Sequence, residues 1–73
     1  MMSQTETKLL KKISESQLVS KDELKQFLRS NGVENDAVLD SVLQSLVTKG
    51  FVNVLNGVGS TCFVITNKGN NMF

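Results

Sequence analysis

Apolar residues recur along this chain at two different periods. Between Ser3 and Glu15, Leu9, Leu10 and Ile13 fall on one helical face, while Lys8, Lys11, Lys12 and Glu15 fall on the other. Ser3 followed by Glu6 has the form of a capping box, in which a hydroxyl satisfies exposed N–H groups at a helix start. The pattern predicts a first helix over about 4–15. Leu18 and Val19 then form a brief extended stretch. A second capping box, Ser20 with Glu23, opens a helix over about 21–30, whose inward stripe is Leu24, Phe27 and Leu28 and whose end is Ser30-Asn31-Gly32. Asn35 is a good N-cap for a third helix over about 36–49. Its apolar positions, Val38, Leu39, Val42, Leu43, Leu46 and Val47, span a wide arc, which predicts that it is the most buried helix of the three. Gly50 ends it, and Asp36 and Lys49 suit its dipole. The remaining residues change to strand-forming types. Strands are expected over about 51–55 and 61–66, joined by a turn at Asn56-Gly57-Val58-Gly59-Ser60 with two glycines available for positive φ.

Composition narrows the reading. The 73 residues suffice for a single domain spanning 1–73, and a chain this short buries a modest core. A hydrophobic fraction of 40% with clear periodicity argues against disorder. Cys62 is the only cysteine and lies in a strand-like run, so it reads as a small buried hydrophobe. No apolar run is long enough to cross a membrane, and the N-terminus lacks the apolar core of a signal peptide. The expected compartment is therefore the cytoplasm, or the nucleus in a eukaryote. With no histidine, one cysteine and no paired-carboxylate motif, the chain is not expected to be an enzyme, to bind a metal or to carry a cofactor. Formal charge is only +1. A nucleic-acid surface would have to arise from the arrangement of charges rather than from their excess.

Several residues carry a resemblance to a known family. Leu39, Leu43, Leu46 and Gly50 follow one another at helical spacing, and Gly50-Phe51-Val52 continues them as Gly-hydrophobe-hydrophobe. Beyond the expected hairpin, Ile65-Thr66-Asn67-Lys68-Gly69 is similar to a Leu-Thr-x-Lys-Gly signature, with isoleucine in place of leucine. Together with Val19 to Leu28, these features resemble the winged helix-turn-helix family over nearly the whole chain. The resemblance implies an α+β fold, three packed helices with a C-terminal β-hairpin wing. It further implies a DNA-binding transcriptional regulator with double-stranded DNA as partner. Winged helices also serve as protein-interaction modules within larger assemblies, and the same motifs fit that role. Many related regulators continue into a long fourth helix that forms the dimer. None is seen after Phe73, so a homodimer is expected to form, if at all, through the first helix and the tail. Met72 and Phe73 are expected to pack back on the core.

In the family, the exposed face of the third helix enters the major groove and the wing touches the backbone. The corresponding face here carries Ala37, Asp40, Ser41, Gln44, Ser45 and Thr48, of which Ser41, Gln44, Ser45 and Thr48 are the major-groove candidates. Glu34, Asp36 and Asp40 oppose phosphate approach, and the same face also reads as plain solvated surface. Lys21, Lys25 and Arg29 form one stripe on the second helix, which Lys49 and Lys68 would extend. These five are the candidates for DNA-backbone contact, with Asp22 partly neutralising them. Asn56, Gly57 and Ser60 are the wing candidates, although a tip without a basic residue also reads as an ordinary turn. Lys8, Lys11 and Lys12 are assigned to solubility.

Overall fold

A computed structural model describes residues 3–33, 35–57 and 59–73; Glu34 and Val58, read above as part of a helix start and of a turn, lie outside them. The elements run α1 (Gln4–Ser16), β1 (Leu18–Ser20), α2 (Lys21–Ser30), α3 (Asp36–Thr48), β2 (Val52–Gly57), β3 (Ser60–Ile65) and α4 (Asn67–Asn70). The three strands form one antiparallel sheet in the order β1-β3-β2. Among the described residues the architecture is thus a small α+β arrangement of four helices and a three-stranded sheet.

Each long helix starts where a side chain satisfies its free N–H groups. Ser3 Oγ accepts the Glu6 N–H at 3.2 Å, Ser20 Oγ accepts the Glu23 N–H at 3.2 Å, and Asn35 Oδ1 accepts the Ala37 N–H at 2.9 Å. Helices α2 and α3 stop by the same device. Gly32 and Gly50 have φ near +83° and +81°. That geometry lets the N–H of Val33 reach Leu28 O at 2.8 Å and the N–H of Phe51 reach Leu46 O at 3.0 Å. Helix α1 ends instead on Gln17, a non-glycine residue at φ 66°, whose carbonyl accepts the Ile65 N–H at 3.1 Å and so joins the helix end to the central strand.

The core gathers Leu9, Leu10 and Ile13 of α1, Val19 of β1, Leu24 and Leu28 of α2, and Leu39, Leu43 and Leu46 of α3 against Phe51, Val52, Phe63 and Ile65. Three expectations need correction. Helix α3 is no more buried than α1, because Val38 is exposed while Val42 and Val47 pack only at the rim, as does Phe27 on α2. Strand β2 extends to Gly57 and β3 begins at Ser60, so the turn is shorter than the Asn56–Ser60 segment and Gly59 alone of its glycines has positive φ. Met72 and Phe73 remain about half exposed instead of packing on the core.

Alternation along the strands sorts the sheet into two faces. Val19, Val52, Phe63 and Ile65 point to the helices, and Val54 opposite Phe63 shares that side. The other face carries Leu18, Ser20, Asn53, Leu55, Cys62 and Val64. Cys62 is therefore half-buried on an open face rather than enclosed.

The last segment closes the domain. Thr66 N–H donates to Phe51 O at 3.0 Å, and its hydroxyl donates to Gly50 O at 2.7 Å while accepting the Gly69 N–H at 3.0 Å. Gly69 is buried so tightly under this turn that a methyl group there would overlap the Phe51 carbonyl oxygen and the Ile65 side chain. Lys68 lies over the Phe51 ring, with Nζ 5.4 Å from its centroid. Asn70 Oδ1 accepts the Ser14 hydroxyl at 2.9 Å, which fixes α4 to α1. Gly69→Ala is expected to lower the unfolding free energy by about 1–3 kcal/mol through overpacking. Thr66→Val should cost about 1–2 kcal/mol through its lost hydroxyl bonds. Urea denaturation followed by circular dichroism checks both.

Candidate nucleic-acid interface

Helices α2 and α3 lie side by side, and their sequence spacing decides what meets between them. Lys21 and Lys25 are one turn apart on α2, as are Asp36 and Asp40 on α3. The fold sets these two stripes of opposite sign against each other. Lys21 Nζ lies 2.8 Å from Asp40 Oδ1, and Lys25 Nζ lies 3.9 Å from Asp36 Oδ2. Such solvent-exposed pairs are worth about 0–1 kcal/mol and exchange readily for other partners. Their main effect is on the potential of the surface. Lys21 and Lys25 are each offset by an aspartate of α3, so much of the formal charge over the α2–α3 face cancels.

Ser41, Gln44 and Thr48 are exposed on α3, and among the described residues none of their side chains makes an intramolecular hydrogen bond. Ala37, on the same helix, is also exposed. Ser45 points elsewhere: it is partly buried toward α1 and its hydroxyl donates to Glu6 Oε2 at 3.2 Å. Lys49 follows it, with Nζ 2.9 Å from the same carboxylate oxygen. Glu6 thus serves α3 through Oε2 and also the start of α1, where its Oε1 accepts the Ser3 hydroxyl at 3.4 Å. Arg29 is exposed in the last turn of α2, while Lys68 sits over Phe51 near the C-terminal end of α3.

The hairpin flanks α3. A shallow groove of about 420 Å³ runs between them, with Leu43, Val47, Val54 and Phe63 below and Lys21, Asp40, Gln44, Thr48 and Thr61 around it. A second concavity of about 310 Å³ separates the hairpin tip from the start of α2. Asn56, Gly57 and Ser60 line it opposite Ser20, Lys21 and Asp22, and Asn56 Oδ1 accepts the Thr61 hydroxyl at 3.4 Å. The structure therefore brings Lys21, Gln44, Thr48 and the hairpin together, and sets Ser45 and Lys49 apart against α1.

The groove and the Glu6 cluster were not read from the sequence. The Lys21/Lys25 and Asp36/Asp40 spacings did contain the signal for cross-helix pairing, once α2 and α3 are placed side by side. Nothing local marks Glu6 as a partner of Lys49, because that contact depends on how α1 crosses α3.

Among the described residues no group of histidine, cysteine or acidic side chains is arranged to hold a metal ion, and no helix is long and apolar enough to cross a membrane.

The Lys49 ammonium, followed by the Ser45 hydroxyl and the Ser3 contact, holds the Glu6 carboxyl below its usual range against the opposing effect of desolvation. A lowered folded-state pKa adds stability that is present above the unfolded value near 4.5 and is lost as pH falls through the folded value. Glu6→Gln is accordingly expected to lower the melting temperature near neutral pH. The gap from the parent should close as the medium is acidified below the ordinary carboxylate range, as thermal melts across pH would show. Comparison with protein-family models, curated proteins and solved structures finds no match for this chain.

Proposed function

We propose that this domain is a winged helix that addresses double-stranded DNA with the exposed face of α3, as part of a transcriptional regulator. The observation that carries the reading is the free polar face of α3. Ser41, Gln44 and Thr48 project outward with no side-chain hydrogen bond among the described residues, beside Lys21 and Lys25 at one flank and the hairpin at the other. Small neighbours such as Ala37 and Ser41 allow a helix to approach base edges closely, and a glutamine can pair with adenine in the major groove. Lys21 and Lys25 would exchange their exposed carboxylate partners for phosphates, an exchange that is inexpensive at a solvated surface, and Arg29 would add a third backbone contact. Lys49 would remain with Glu6, and Lys68 would approach the backbone only from the far end of α3. Asn56, Gly57 and Ser60 would meet the duplex as uncharged hydrogen-bonding groups. Few phosphates would be neutralised, so a single domain should bind in the weak range typical of non-specific contact, about 1–100 μM.

A second reading rests on the cancellation of charge over the α2–α3 face. In it the domain is a protein-interaction module of a larger assembly. An apolar-faced segment of a partner protein would lie in the groove over Leu43, Val47, Val54 and Phe63.

Fluorescence anisotropy with a short duplex at low ionic strength separates the two. Under the DNA reading the parent protein binds, and Lys25→Glu combined with Arg29→Glu removes binding. Asp36→Asn combined with Asp40→Asn should strengthen it about tenfold by removing two carboxylates from the phosphate path. If the parent and the Asp36/Asp40 variant both leave the anisotropy unchanged, the DNA reading fails and the docking reading stands.

A further inference from the structure

The two outer strands of the sheet are unequal. Strand β1 has three residues and runs directly into α2 with Lys21 and Asp22, charges that guard that edge. Strand β2 has six residues and, among the described residues, pairs only with β3. Among the described residues no backbone hydrogen bond leaves Val52–Gly57 except within the sheet, so its other edge presents an unpartnered row of N–H and C=O groups. The usual protections of such an edge are lysine, proline, a bulge or a covering helix. Val52–Gly57 contains neither a charged residue nor a proline, and its pairing with β3 is unbroken from Val52↔Ile65 to Gly57↔Ser60. Nor is it covered: Asn53 to Gly57 are all exposed, with Val54 40% accessible on the helix-facing side and Leu55 53% accessible on the other.

We propose that the free edge of β2 pairs antiparallel with β2 of a second copy of this chain, joining two three-stranded sheets into one of six strands. Antiparallel pairing about a two-fold axis brings the strand against its own sequence, an isologous contact in which one patch serves both sides. Val54 and Leu55 lie mid-strand and expose apolar side chains on opposite faces, so the two-fold sets the apolar centre of one strand against that of the other on both faces. Because β2 carries no charge, two identical edges meet without repulsion. The same lack of charge gives the edge nothing with which to select a charged peptide instead. A six-residue strand is about 20 Å long. Pairing two such edges buries far less than the roughly 800 Å² per partner of a stable complex. The dimer is therefore weak and concentration-dependent. It leaves Ser41, Gln44 and Thr48 of α3 outside the contact and shares with the groove beside them only Val54.

Sedimentation velocity of the full chain without nucleic acid, with hydrogen exchange on the same samples, tests this pairing across the micromolar to millimolar range. The weight-average mass should rise from monomer toward dimer with concentration, and exchange should slow within Val52–Gly57 and not in β1. Val54→Lys and Leu55→Lys should each suppress the rise, since each sets like charges across the two-fold on a different face. Leu18→Lys, on the outer face but at the other edge, should leave it unchanged. Retained melting curves would show that these exposed substitutions leave the fold intact. A mass that stays monomeric throughout overturns the proposal. So does association suppressed by only one of Val54→Lys and Leu55→Lys, or equally by Leu18→Lys, because those patterns point to the α3 groove or to face-to-face stacking of the sheets.

Discussion

The arrangement of this domain depends on the contact between Gly50–Phe51 and Thr66–Gly69. Helix α3 must end abruptly for the chain to enter β2, and Gly50 permits that by adopting a left-handed conformation. The turn leaves the carbonyls of Gly50 and Phe51 directed away from the helix. Thr66 takes both, one through its hydroxyl and one through its N–H. Gly69 then fits beneath the Phe51 carbonyl, where a larger residue has no room. The end of α3 and the end of β3 are thereby held together, and the hairpin between them has a fixed direction relative to α3. The groove beside Gln44 and Thr48 exists because of that direction.

Electrostatics plays a smaller part in stability and a larger one in what the surface offers. The aspartates of α3 are exposed and the lysines of α2 partly so, and their pairs contribute little to folding. Side by side, they hold the face near neutrality at moderate salt. Glu6 is more enclosed, with its side chain only 15% accessible, and it orients Lys49 and Ser45 toward α1. Polar residues of α3 consequently divide into an outward set that is free to engage a ligand and an inward set committed to helix packing.

Much of the fold was legible in the sequence because it is written locally. The hydroxyl and amide caps at Ser3, Ser20 and Asn35, the glycine stops at Gly32 and Gly50, and the apolar stripes Leu9-Leu10-Ile13 and Leu39-Leu43-Leu46 all act within a turn or two of chain. Features that depend on crossing geometry were less visible. Ser45 counts as outward by helical angle alone, yet it turns to Glu6 because α1 packs along that side of α3. Val38 belongs to the apolar arc but lies past the edge of the contact with the rest of the core. Helix α4 escaped because its four residues have no apolar period; Thr66 as its cap and Gly69 as its close contact appear in the sequence only as a motif without a stated purpose. The charge pairs between α2 and α3 were written in the spacing, but they become contacts only after the two helices are set together.

The central position of β3 has a further implication for how the domain comes to be made. Both other strands hydrogen-bond to it, and it follows both in sequence. During synthesis, α1, β1, α2 and α3 emerge from the ribosome before the strand that β1 needs as its partner. Until then Val19 lacks its strand partner and the core helices lack Phe63 and Ile65 as a floor. The early chain can form helices quickly, but its sheet waits on a long-range pairing whose loop closure is slow. The interval in which a nascent copy exposes apolar surface to its neighbours is therefore set by how long β3 takes to become available after the helices.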